Sequence, residues 1–82
     1  AAPRYPETLR AAGVEGTVLA EFVVDTAGRV EPASVRVVAS AHPLFEQAVR
    51  AALRGLRFRP AEVGGRAVRQ LVQQPFVFAV RR

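Results

Sequence analysis

Few residues in this chain have the type and spacing to do chemistry. His42 is the only histidine. The nearest hydroxyl, Ser40, stands two residues before it at a strand end, and no partner is placed to turn either into an activated nucleophile. His42 is therefore read as a structural or exposed histidine at a helix start. Asp25 with Glu21 or Glu31 offers a carboxylate pair of the kind used in general acid–base work, but carboxylates flanking a turn are ordinarily just solvated. Gly64-Gly65 lacks the strand–loop–helix setting and the lysine of a phosphate loop. The absence of cysteine excludes a disulfide framework and a thiolate metal site, and one histidine makes no zinc cluster. The chain is expected to be no enzyme and to carry no cofactor.

Charge is the next candidate. The 12 basic residues, all arginine, outnumber 7 acidic ones, for a net charge of +5. Arginine and phenylalanine interleave at Arg57-Phe58-Arg59, as they do on nucleic-acid surfaces. Arg54, Arg57, Arg59, Arg66 and Arg69 would carry such a polyanion reading. Against it, the phenylalanines fall mostly on core faces, whereas base stacking needs exposed rings. No nucleic acid is expected as a partner.

The elements that position these residues follow from periodicity. Pro6, Glu7 and Gly13 punctuate a short helix over Tyr5–Gly13, with Pro6 at its first position and Tyr5 and Leu9 packing it down. From Gly16 the period is two: Val18, Ala20, Phe22 and Val24 share a face. Asp25–Arg29 is a turn, with Gly28 supplying positive φ. A second strand follows, Val35, Val37 and Ala39 on one face, and pairs with the first as an antiparallel hairpin. The period then becomes 3.6, with Phe45, Ala48, Val49, Ala52 and Leu56 in one stripe and Leu53 beside it. Glu46 and Arg50 are spaced as an i,i+4 pair opposite that stripe. Pro60 bars any helical continuation and Gly64-Gly65 turns the chain. Leu56 and Phe58 point to the core, Phe58 as a buried anchor. Val68–Val80 is a last strand, with Pro75 marking it as an edge or a bulge.

The order is α-β-β-α-β. It predicts an α+β fold in which a three-stranded antiparallel sheet carries two helices packed on one face. Eighty-two residues make one small domain, here residues 5–80, with 1–4 as the end of a linker and 81–82 as a tail. No apolar run approaches the roughly 20 residues of a membrane span. The last strand has a free edge open to strand addition, in which backbone hydrogen bonds supply affinity. Arg66, Arg69 and Pro75 compete with that reading, because charges and prolines blunt edges.

In this order and spacing, several short runs resemble the C-terminal domain of TonB-family energy transducers. They are Tyr5-Pro6, Gly16-Thr17-Val18, Asp25-Thr26-Ala27-Gly28-Arg29-Val30 and Leu44-Phe45-Glu46-Gln47-Ala48-Val49. Phe58-Arg59-Pro60-Ala61, Gly65-Arg66-Ala67-Val68 and Pro75-Phe76-Val77-Phe78 complete the set. The chain departs from the family at Ala39–Glu46, which lacks its Ser-Gly and Leu-Asp pairs, and at Gly55-Leu56, where an aromatic commonly precedes Phe-x-Pro.

The resemblance implies a periplasmic, non-enzymatic domain whose parent protein is anchored in the inner membrane. It implies energisation by an ExbB–ExbD-type proton-driven motor. It also implies that the TonB-box peptide of an outer-membrane TonB-dependent receptor is gripped as an added strand. By matching position that edge comprises Arg66, Val68, Arg69, Gln70, Leu71, Val72, Gln73, Gln74 and Phe76. Dimerisation through the same edge, giving a homodimer, is the competing expectation.

Overall fold

A computed structural model describes residues 2–81; Ala1 of the expected linker end and Arg82 of the expected tail lie outside the described residues. Helix α1 (Glu7–Ala11) leads into strand β1 (Gly16–Val24), a 3-10 turn (Pro32–Ser34) and strand β2 (Arg36–Ser40). Helix α2 (Pro43–Leu53) follows, then β3 (Ala61–Val63), β4 (Arg66–Val68) and β5 (Gln70–Phe78). The main sheet has the order β2-β1-β5, antiparallel throughout, while β3 and β4 form a separate two-stranded hairpin. The expected α+β architecture, three-stranded sheet and two helices are therefore present.

Each boundary has a local cause. Pro6 stands one position earlier than the sequence suggested: it is the N-cap of α1, and its carbonyl accepts from the Leu9 and Arg10 amides at 3.1 and 2.9 Å. Gly13, at φ 69°, ends that helix as expected. Its N–H donates to the Arg10 carbonyl while Val14 N–H reaches back to Leu9, the Schellman pattern. His42 caps α2, its Nδ1 accepting from Leu44 N–H at 3.0 Å, with Pro43 in the first turn. The sole histidine is thus committed to structure.

The core lies between the sheet and α2. Val18, Ala20, Phe22 and Val24 are buried against Phe45, Val49 and Leu53, with Leu9, Phe76 and Phe78 completing the cluster. The Phe45 and Phe78 rings stack at 4.3 Å, and the Tyr5 ring meets both edge-on. Tyr5 therefore closes one end of the core, and its hydroxyl donates to the Val14 carbonyl.

The structure corrects several expectations. Leu53, placed beside the helical stripe, is in fact buried within it. Leu56 lies beyond the helix, which stops at Leu53 well before Pro60. Phe58 packs on Phe22 at 5.6 Å as an anchor, but half-buried rather than buried. Its N–H donates to the Gly28 carbonyl at 2.8 Å, tying the segment after α2 to the Asp25–Arg29 turn.

The β1–β2 connection is also longer than a tight hairpin. Pro32–Ser34 coils before β2 begins, and Ser34 Oγ accepts from Val23 N–H at 2.9 Å where no strand yet faces it. In the register, Leu19 opposes Ala39 and Ala20 opposes Val37, so Val38 is an extra, bulged residue of β2. The bulge resets the alternation. Ala39 is exposed rather than sharing the face of Val37.

Candidate binding edge

With β1 central, β2 and β5 are the edges of the sheet, and their physical character differs. Strand β2 is five residues long, carries Arg36 and is bulged, and these features discourage pairing with another chain. Strand β5 is nine residues long and holds an unbroken register with β1 from Gln70 opposite Val24 to Phe78 opposite Gly16. Its sequence, QLVQQPFVF, contains no charge.

Hydrogen bonds on the far side of β1 establish which way the backbone of β5 points. The Val23 carbonyl accepts from Glu31 N–H at 2.9 Å, and the Thr17 carbonyl from Ala41 N–H at 3.3 Å. Odd-numbered residues of β1 therefore turn their polar groups toward β2, and even-numbered ones toward β5. Their register partners Gln70, Val72, Gln74, Phe76 and Phe78 turn back toward β1. Leu71, Gln73, Pro75 and Val77 are left with their backbone groups directed at the free edge. Pro75 opposes Leu19 at one of these outward positions, so its missing N–H breaks no bond of the sheet. The edge offers N–H donors at Leu71, Gln73 and Val77 and a carbonyl at each of the same positions and at Pro75.

Side chains divide by the same parity. Gln70 is exposed, Val72 and Gln74 are half-buried, and Phe76 and Phe78 are buried, so the inward face of β5 deepens along its length. On the opposite face, Leu71 and Val77 are 63% and 71% exposed. Between them Gln73 Nε2 donates to Glu21 Oε2 at 3.1 Å, and Glu21 also meets Arg36 Nη1 at 3.4 Å. One carboxylate thus links all three strands.

Three expected members of the edge lie off β5. Arg66 and Val68 belong to β4, paired with Val63 and Ala61. The cause is local: Gly64 and Gly65 both have positive φ, at 57° and 78°, which closes a two-residue hairpin on itself. Arg69 falls between β4 and β5 and is committed to Glu31, donating from Nε at 2.6 Å and Nη2 at 2.8 Å. Those hydrogen bonds hold the Glu31 carboxyl below the usual carboxylate range, against some opposition from desolvation. Neither arginine blunts β5. The Glu31–Arg69 pair had no signal in the sequence, because 38 positions separate its members.

Among the described residues no group of His, Asp or Glu could hold a metal ion. Asp25, considered above as a possible acid–base partner, is engaged in the turn, its Oδ1 accepting from Ala27 and Arg29 N–H at 2.9 Å each. The Arg29 amide is the main cause of its lowered pKa. The Arg57-Phe58-Arg59 run offers no stacking platform, since every phenylalanine and Tyr5 is at least half-buried.

The family described as the Gram-negative bacterial TonB protein C-terminal matches residues 1–80 of the chain. The chain belongs to the TonB C-terminal family. It is 31% identical over 81 residues to Protein TonB of Pseudomonas aeruginosa, an alignment covering 98% of this chain and 23% of that protein. The chain therefore spans less than a quarter of that relative's length. The solution NMR structure of the Pseudomonas aeruginosa TonB C-terminal domain superposes with a TM-score of 0.85 at 30% identity, over 100% of this chain and 82% of that one. The TonB2 protein from Vibrio anguillarum gives 0.74 at 29% identity, covering 98% and 76%. The TonB family is one of energy transducers rather than enzymes, and its C-terminal domain is periplasmic. Among the described residues of this TonB C-terminal domain, no helix is long and apolar enough to cross a membrane.

Proposed function

We propose that this TonB C-terminal domain captures the TonB-box peptide of an outer-membrane TonB-dependent receptor as a strand added to β5. The observation that carries the reading is the free edge of β5: nine uncharged residues in unbroken register, with outward backbone groups at Leu71, Gln73, Pro75 and Val77. Such an edge binds main chain first and side chains second. Of the residues that the resemblance implies for the edge, Gln70 to Gln74 and Phe76 lie on β5. Arg69 positions its start, and Arg66 and Val68 are outside it.

On this reading the domain comprises residues 5–80. Tyr5 packs on Phe45 and Phe78 at one terminus, and Val80 N–H donates to Glu15 Oε2 at 2.6 Å at the other. In the parent protein, an ExbB–ExbD-type motor acting through an inner-membrane anchor would supply the force that the peptide transmits to the receptor.

The test is titration of the isotopically labelled domain with a TonB-box peptide. Shifts should concentrate in residues 70–77, with the Leu71, Gln73 and Val77 amides gaining protection from hydrogen exchange. Saturating peptide that leaves these residues unmoved would overturn the proposal. The same free row, flanked by exposed Leu71 and Val77, also suits a second copy of the chain. If self-pairing competes, light scattering will show dimer converting to monomer as peptide is added.

A further inference from the structure

We propose a second docking site, independent of β5, for an acidic peptide segment that inserts one aliphatic or aromatic side chain. It is the groove between the end of α2 and the β1–β2 connection, about 160 Å³, lined by Val30, Pro32, Val35, Leu53, Arg50 and Arg54. Its lining includes no residue of β5.

The floor is apolar: Leu53 is 2% exposed, and Val30 and Val35 are half-buried against the core. Arg50 on α2 and Arg54, the C-cap of that helix, stand about one helical turn apart, both exposed. Among the described residues neither makes an ion pair or a side-chain hydrogen bond. The i,i+4 spacing of Glu46 and Arg50 produces no bridge, and Glu31, next to Pro32, is already held by Arg69. Two uncompensated guanidinium groups beside an apolar hollow complement a carboxylate attached to an apolar group. The C-terminus of α2 opposes an anion with only about half a charge, which two full cations outweigh.

Volume chooses between occupants. A cavity of about 150 Å³ accommodates a benzene-sized group, so the groove holds one leucine or phenylalanine side chain and little of an acyl chain. The occupant is therefore a peptide residue with acidic neighbours, and the net charge of +5 draws such a segment in.

The labelled domain is titrated with acetyl-Glu-Leu-Glu-amide. Shifts should appear at Val30, Val35 and Leu53 and at the Arg50 and Arg54 Nε signals, with a Kd of about 1 mM or tighter. Replacing the peptide with acetyl-Gln-Leu-Gln-amide, or using the Arg50→Gln/Arg54→Gln domain, should weaken binding about tenfold, as for loss of charge-assisted hydrogen bonds. Arg50→Glu/Arg54→Glu should instead favour acetyl-Lys-Leu-Lys-amide. If charge reversal unfolds the domain, the two glutamine comparisons decide. Unmoved groove residues, or equal binding of the glutamine peptide, would overturn the site. Tighter binding of decanoate there would replace the peptide with a lipid, and matching shifts from sodium phosphate alone would reduce the site to an anion contact. Failure here leaves the β5 proposal untouched, since that one is read at residues 70–77.

Discussion

Arg69 clasps Glu31 with two hydrogen bonds, Nε to Oε2 at 2.6 Å and Nη2 to Oε1 at 2.8 Å, and so pins the start of β5 to the connection between β1 and β2. The pair lies at the exposed end of β5, where Gln70 has no cover from the core. Arg69→Ala should therefore speed amide exchange at Gln70 and Val72, which bond inward to β1, while leaving Phe76 and Phe78 protected. Uniform acceleration along β5 would show that the clasp has no local role.

The same pair predicts a pH dependence. Arg69 lowers the pKa of Glu31, and the Arg29 amide lowers that of Asp25. A carboxyl whose folded pKa is lowered contributes its stability above the unfolded pKa, roughly 4, and loses it as pH falls through the folded value. Melting temperature should decline from about pH 5 downward. Asp25→Asn/Glu31→Gln should flatten that decline, as thermal melts across acidic pH would reveal.

Proline substitutions separate the two sides of β5. At Leu71 or Gln73 a proline removes an outward N–H and should weaken peptide binding while leaving the β1 ladder whole. At Val72, opposite Phe22, it removes an inward N–H and should destabilise the domain itself. Peptide titration paired with denaturant melts distinguishes these outcomes. Equal stability loss at Val72 and Gln73 would refute the assigned parity.

Gly28 is constrained twice. It sits at φ 82°, and an added Cβ would lie 2.1 Å from the Phe58 carbonyl oxygen. Gly65 shares the positive φ, at 78°, but has open space around it. Gly65→Ala should cost about 1–2 kcal/mol, the strain of the left-handed conformation alone. Gly28→Ala should exceed it by displacing Phe58, with a total of about 2–4 kcal/mol. Urea melts of the two variants make the comparison.

Burial ranks the aromatic residues. Phe45, fully buried in the stack with Phe78, should lose about 3–5 kcal/mol on truncation to alanine. Phe58, only half-buried, should lose clearly less. The order of the two denaturation midpoints checks this.

Sequence alone determined the elements whose causes are local. Alternation from Val18 to Val24 made a one-sided strand, and the stripe through Phe45 and Val49 made an amphipathic helix, because each period is a property of its own backbone. Asp25 and Gly28 made their turn for the same reason, and Pro75 already marked its strand as an edge or a bulge. Tertiary structure decided what depends on partners distant along the chain. It set β1 at the centre, inserted the bulge at Val38 and closed Gly64-Gly65 into a hairpin that takes Arg66 and Val68 off the edge. It also joined Glu21 to Gln73 across 52 positions and committed Arg69 to Glu31. Above all it set the register of β5 against β1, since a strand's period fixes alternation but only its neighbour determines which residues face outward.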